Sequence, residues 1–185
     1  MIGRMMHLRH LALVATCLAS PCLADGQKRA VIFDVDGTLT PNVYTINLAR
    51  DDAPAAVQAY ADAGVQIIYL TARVPLFQER VADWLLKNGF PPGQLHLTET
   101  EADREDHGGF KSRVLETYRA DGWSFVAAFG DSSSDFAAYG AAGIPQGRVF
   151  ALQRLGAWDC KSGAWQGCYK DWVELFPAIQ TTLAD

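Results

Sequence analysis

The sequence predicts an α/β fold organised around a mostly parallel sheet. Three observations carry that expectation. Short apolar runs rich in β-branched and aromatic residues recur at 30–33, 65–70 and 125–129, and such runs read as strands buried on both faces. Segments with apolar residues at helical spacing lie between them. The two kinds alternate, which is the pattern of βα units feeding a parallel sheet. The length of 185 residues has room for one such domain rather than two.

The elements follow in order. Ala30-Val31-Ile32-Phe33 is the first strand. Asp52 precedes a helix over 53–63, with Pro54 in its first turn and Gly64 just past its end. Residues 65–70 form the second strand. A helix over 75–88 follows, because Phe77, Val81, Trp84 and Leu85 share one face and Gly89 closes it. Residues 95–97 make a short strand. A helix over 111–120 sets Val114, Leu115 and Tyr118 on one side. Residues 125–129 are a strand, 135–142 a short helix that Asp135 can cap, and 148–152 a further strand. The tail over 171–183 is helical, interrupted at Pro177. The acidic stretch Glu99, Glu101, Asp103, Glu105 and Asp106 reads as a solvated loop. Trp158, Trp165, Tyr169 and Trp172 read as a carboxy-terminal segment packing on the core.

Residues 1–24 stand apart. Arg4 and Arg9 open them, residues 11–19 run apolar, and the small side chains of Cys22 and Ala24 close them. That is the layout of a secretory signal, with an apolar run too short to span a bilayer. The chain therefore divides into a signal at 1–24 and one domain at 25–185, in a protein that is secreted or periplasmic. A retained leader and a lipid anchor at Cys17 are the alternatives. The net charge is −5 for the whole chain and −7 beyond Ala24. A basic nucleic-acid footprint is absent at the level of the whole chain. Cys160 and Cys168 are the cysteines left after cleavage. In an oxidising compartment they are expected to form a disulfide, with free thiols as the alternative. No histidine lies near them to complete a zinc site.

In a parallel sheet the site lies beyond the carboxyl ends of the strands. Asp34-Val35-Asp36-Gly37-Thr38 follows the first strand. Residues two apart in extended chain face the same side, so two carboxylates there repel unless a cation joins them. Gly37 frees the backbone for a sharp turn. Thr71-Ala72-Arg73 follows the second strand and offers a hydroxyl and free backbone N–H groups. Lys111 opens a predicted helix, where a cation opposes the dipole and points to an anionic partner. Gly130-Asp131-Ser132-Ser133-Ser134-Asp135 follows the strand at 125–129 with two more carboxylates. A Ser-His-Asp triad lacks a placed base, and His96 and His107 fall outside these motifs.

The four motifs, in this order and spacing, resemble the haloacid-dehalogenase-like (HAD) phosphatase superfamily. The resemblance spans about residues 30–152 and implies a three-layer Rossmannoid fold. It implies that Asp34 is the nucleophile, and that Asp36 is the acid for the leaving oxygen and then the base for water. Thr71, Ala72, Arg73 and Lys111 would hold the phosphoryl group. Asp34, the backbone carbonyl of Asp36, Asp131 and, behind them, Asp135 would hold Mg²⁺. Phosphoryl transfer needs positioning and charge neutralisation above all, which this residue set can supply. Asp34-Val35-Asp36-Gly37-Thr38-Leu39-Thr40, Ile67 to Arg73, Asn88-Gly89-Phe90-Pro91, Gly143-Ile144-Pro145 and Arg148-Val149-Phe150 are similar, more closely, to the lipin-type (LNS2) phosphatidate phosphatase domain. Asp131 departs from that domain, which commonly has Asn there.

Thirty-six residues separate Asp34 from Thr71, and 39 separate Thr71 from Lys111. Neither gap holds a large lid, so the cap is minimal and the site open. The expected partner is a phosphomonoester, phospholipids included, with at most peripheral membrane contact. A non-catalytic phospholipid-binding module and a phosphotransferase are the alternatives.

Overall fold

The computed structural model describes residues 27–184. The signal reading at 1–24, with Cys17, lies outside them. Six strands form one sheet: β1 (Arg29–Asp34), β2 (Gln66–Thr71), β3 (Gln94–Leu97), β4 (Ser124–Gly130), β5 (Val149–Leu152) and β6 (Gly167–Tyr169). Their order is β3-β2-β1-β4-β5-β6, and every neighbouring pair is parallel. The order reverses beside β1, so the crevice at this switch point opens directly above Asp34.

The helices are α1 (Ala53–Asp62), α2 (Val81–Lys87), α3 (Glu101–Glu105), α4 (His107–Ala120), α5 (Ser133–Ala141) and α6 (Trp172–Ala184). Alternation along β1 divides the core in two. Val31 and Phe33 pack with Tyr60 of α1, Trp84 of α2 and Trp172 of α6. Ala30 and Ile32 face Phe110 and Leu115 of α4 and Phe136 and Tyr139 of α5. The result is three layers, helix on sheet on helix. Phe129 stacks on Phe33 with centroids 5.0 Å apart and on Phe150 at 5.1 Å. That aromatic row crosses the three middle strands of the site. No helix among the described residues is long and apolar enough to cross a membrane.

Four expectations are corrected. The helix expected over 75–88 is broken into a 3₁₀ turn, Pro75–Phe77, and α2. Gln78 causes the break: its amide donates to the carbonyls of Arg73 and Thr98 at 2.7 and 3.0 Å, tying the turn to β3's exit. The acidic stretch is not a loop throughout. Thr100 and Asp103 form a capping box, and α3 follows. Helix α4 begins a turn earlier than expected, with Asp106 accepting from Gly109 N–H at 2.8 Å. Lys111 is thus in the second turn rather than at the helix start. Pro177 does not interrupt α6. The carbonyl its ring deprives of a donor belongs to Val173, which is exposed to water.

Cys160 and Cys168 form the expected disulfide. Cys168 lies within β6, an edge strand that the apolar runs of the sequence do not predict, so the bond ties the preceding loop to the sheet. Trp172 is buried and Trp165 is partly covered, as expected of a packing tail, while Trp158 is fully exposed.

Candidate active site

Strand β1 delivers Asp34 to the sheet's carboxyl edge, buried. The chain then turns tightly, with Leu39 and Thr40 N–H both donating to the Val35 carbonyl. Gly37 makes the turn possible. Its φ is +90°, and a Cβ there would overlap the Asp131 carboxylate. Thr38 Oγ1 donates to Asp34 Oδ2 at 2.9 Å.

Lys111 rises from α4 between two carboxylates. Its Nζ donates to Asp34 Oδ1 at 2.5 Å and to Asp135 Oδ1 at 2.6 Å. Burial works against the lysine's charge, yet Asp135 and Asp34 together hold its pKa above the ordinary value. Burial also pushes the Asp34 carboxyl well up; Lys111 opposes this, while Asp135, Asp131 and Asp36 add to it. For Asp135 burial is outweighed by Lys111 and Ser132, and the carboxyl is held below its ordinary value.

Asp135 does more than pair with Lys111. Ser132 caps α5, and Asp135 closes the capping box from the third helical position. The expected cap by Asp135 is thus shared: Ser132 is the N-cap residue, and Asp135 accepts from the Ser132 N–H. Both Asp131 and Ser132 N–H groups donate to Asp135 Oδ2, at 3.2 and 3.0 Å. The loop after β4 is therefore built around one buried carboxylate.

Asp36 turns the other way. Thr71 Oγ1 donates to its Oδ2 at 2.7 Å. Arg73 grips it with Nε at 3.1 Å from both oxygens and Nη2 at 2.6 Å from Oδ1. Thr71 also accepts from Arg73 N–H at 3.1 Å. Thr71 and Arg73, read as phosphoryl-binding residues, thus engage the Asp36 side chain first. Ala72 lies beside them in the wall of the cleft.

Asp131 pairs with Arg154, whose Nε donates to its Oδ2. Burial pushes the Asp131 carboxyl up to about 6, against the pull of Arg154. Behind this pair, Arg50 donates to the carbonyls of Thr40, Lys170, Gly37, Pro41 and Gln153, at 2.5 to 3.3 Å. These hydrogen bonds bind the β1 turn to the exits of β5 and β6.

The side chains line a cleft of about 580 Å³. Its floor carries Asp34, Asp36, Lys111 and Asp131, and its wall includes Val43, Tyr44, Ile46, Val74 and Phe77. The rim is apolar and open: Tyr44 is 90% exposed, Val74 51% and Phe77 45%. This agrees with a minimal cap.

The fold brings Asp34, Asp36, Thr71, Ala72, Arg73, Lys111 and Asp131 together around one cleft, with Asp135 beneath Lys111. The cleft also takes in Arg154 and His107, which lie outside the four motifs. Arg154 has a sequence signal, since it stands two residues past a strand end as Asp131 stands just past β4. His107 has none, because it belongs to the glycine-rich first turn of α4.

Asp34, Asp131 and Asp135 offer carboxylate oxygens within 4.8 Å of one another, all buried. Against these three carboxylates stand the side chains of Lys111 and Arg154, which leaves one carboxylate charge of the cluster unmatched. Hard oxygen donors around a deficit of positive charge fit Mg²⁺. The Asp36 side chain, held by Arg73, does not join this cluster.

Residues 31–153 match the family described as PITM 1-3, LNS2 domain. Membrane-associated phosphatidylinositol transfer protein 3 of Homo sapiens is 25% identical over 127 residues, covering 67% of this chain and 13% of that protein. Protein retinal degeneration B of Drosophila melanogaster is 28% identical over 130 residues, covering 68% of this chain and 10% of the other. The chain thus spans only about a tenth of the length of these curated relatives. Among solved structures, a putative HAD-like phosphatase from Mesorhizobium loti superposes with a TM-score of 0.60 at 14% identity, over 84% of this chain and 86% of that one. D,D-heptose 1,7-bisphosphate phosphatase from B. bronchiseptica, complexed with magnesium and phosphate, gives 0.58 at 16% identity over 84% and 98%. The fold is that of the HAD-like phosphatases.

Proposed function

The chain belongs to the LNS2 domain family, and from that premise we propose that it is a Mg²⁺-dependent phosphomonoesterase that acts through an aspartyl-phosphate. One observation carries the reading: the carboxylate at the end of β1 is shared with Lys111 and forms an acidic trio with Asp131 and Asp135 beneath an open cleft. A structural ion pair does not need two further carboxylates beside it.

Asp34 is the nucleophile. Its carboxylate oxygen forms a bond to phosphorus as the bond from phosphorus to the leaving oxygen breaks. Asp36 gives that oxygen its proton. Asp36 then takes a proton from water, whose oxygen attacks phosphorus and returns Asp34 to its free carboxylate with release of phosphate. Lys111 keeps the approach of a dianion to Asp34 from being repulsive. Arg73 and Thr71 fix the Asp36 carboxyl in place. Mg²⁺, held by Asp34, Asp131 and the Asp36 carbonyl with Asp135 behind, would supply charge neutralisation for the nucleophile and phosphoryl group.

The substrate is a phosphomonoester with a bulky, partly apolar alcohol, phosphatidate-like lipids among them. The exposed rim of Tyr44, Val74 and Phe77 supports this. Phosphatidylinositol transfer proteins among the relatives support a lipid partner as well. The same two observations favour a second reading, a non-catalytic lipid-binding module. Retention of both Asp34 and Asp36 favours catalysis. Export is also part of the proposal, supported by the leader-like residues 1–24 and the Cys160–Cys168 disulfide.

The test is phosphate release with Mg²⁺ from phosphatidate vesicles, lysophosphatidate and small soluble phosphates, with the Asp34→Asn variant as control. Release that depends on Asp34 supports the enzyme. Vesicle binding without release at saturating Mg²⁺ would establish the binding module instead.

A further inference from the structure

Arg154 carries an inference that rests on the magnesium reading above. It follows the end of β5 by two residues, and its Nε donates to Asp131 Oδ2. That oxygen is the one pressed against Gly37, the residue that follows the Asp36 carbonyl. A cation seated among Asp34, Asp131 and Asp135 would draw on the same carboxylate. A guanidinium and a divalent cation drawing on one carboxylate repel each other. The Asp131 side chain is only 2% exposed, so water screens that repulsion poorly.

The other two cations at the site are committed. Lys111 is shared between Asp34 and Asp135, and Arg73 is clasped to Asp36. Arg154 differs. Its side chain is 27% exposed, and it lines the same cleft as Asp34 and Lys111. It has somewhere to go. The four carboxylates Asp34, Asp36, Asp131 and Asp135 are balanced by Lys111, Arg73, Arg154 and, behind them, Arg50. A divalent cation makes the site net positive, and a guanidinium freed from Asp131 then faces a cleft suited to an anion.

We propose that Arg154 is a positioning residue that couples cation and phosphoryl binding. It competes with the divalent cation for Asp131. Once displaced, its planar fork of donors turns into the cleft and meets the phosphoryl oxygens. The cation and the anion then strengthen each other's binding through one side chain, reciprocally. No bond is made or broken by Arg154.

Mn²⁺ titrations of the chelator-stripped full chain, read by electron paramagnetic resonance, test this with and without inorganic phosphate. The proteins compared are wild type, Arg154→Gln and Arg154→Lys, each shown by circular dichroism to melt cooperatively. Arg154→Gln is expected to bind Mn²⁺ about tenfold more tightly than wild type without phosphate. Phosphate is expected to tighten Mn²⁺ binding in wild type and much less in Arg154→Gln, with Arg154→Lys between. Equal or weaker Mn²⁺ binding by Arg154→Gln would overturn the competition and make Arg154 a support for Asp131. An unchanged phosphate effect in that variant would overturn the coupling. Absence of Mn²⁺ binding by wild type would instead defeat the magnesium reading itself, and the proposal with it.

Discussion

Arg73 clasps Asp36 from the side, with Nη2 at 2.6 Å from Oδ1 and Nε at 3.1 Å from both oxygens. The two side chains are 5% and 17% exposed, so neither charge is well hydrated alone. Removing one partner of such a pair leaves the other uncompensated. Arg73→Gln is expected to cost about 3 kcal/mol in urea unfolding and to lower kcat. The double variant with Asp36→Asn should be less destabilised than the two single losses added together. Simple additivity would show that the two side chains are not energetically coupled.

Asp34→Asn should reduce phosphate release by at least about a thousandfold without loss of fold. Burial already disfavours the charge on Asp34, so a neutral amide there keeps or raises the melting temperature. The pH dependence has a definite sign. A carboxyl held above its unfolded value lets the folded state bind the proton more readily. Its contribution to stability is then greatest at low pH and falls as pH rises through the unfolded value near 3.8. Melting curves of the chelated proteins across that range should decline less for Asp34→Asn than for wild type. Parallel curves would argue against an elevated Asp34.

Gly37→Ala tests the close approach of the β1 turn to Asp131. A methyl group there meets the carboxylate, and the φ of +90° is unfavourable for alanine. A loss of about 1–3 kcal/mol is expected, together with weaker Mn²⁺ binding as Asp131 is pushed aside. Calorimetric titration with Mn²⁺ checks the second effect. Unaltered affinity would remove Asp131 from the proposed cation site.

The disulfide joins residues eight apart. A loop of that size is expected to contribute about 2–3 kcal/mol by restricting the unfolded chain. Cys160→Ser with Cys168→Ser should lower the denaturation midpoint accordingly, and a reductant should do the same to wild type. Activity should fall less than stability, because the closed loop lies at the sheet's edge beside β6. Equal midpoints with and without reductant would show that the bond adds nothing.

The strands could be read from the sequence because buried parallel strands are continuous apolar runs, and 30–33, 65–70 and 125–129 have no competing periodicity. Residues 167–169 failed that test: Gly167-Cys168-Tyr169 is a strand because it pairs with β5, a tertiary cause with no local signature. Gly108 and Gly109 hid the first turn of α4, which an Asp106 side chain stabilises instead of helix propensity. The site was legible wherever a motif sits at a strand end. The pairing of Asp36 with Arg73, rather than with a cation beside Asp34, was not, since it depends on side-chain direction after a turn. Arg154 stands two residues past a strand end, where the sequence points, but its pairing with Asp131 depends on β5 lying next to β4.

All five hydrogen bonds described for Arg50 end on main-chain carbonyls. Carbonyls do not titrate, and they neither gain nor lose charge when ions arrive. The brace joining the nucleophile turn to the exits of β5 and β6 therefore keeps acceptors that no protonation or ion binding removes, although its guanidinium feels the Asp131 charge. Carboxylates can be protonated, phosphorylated or bridged above it while the frame that aims them keeps the same partners.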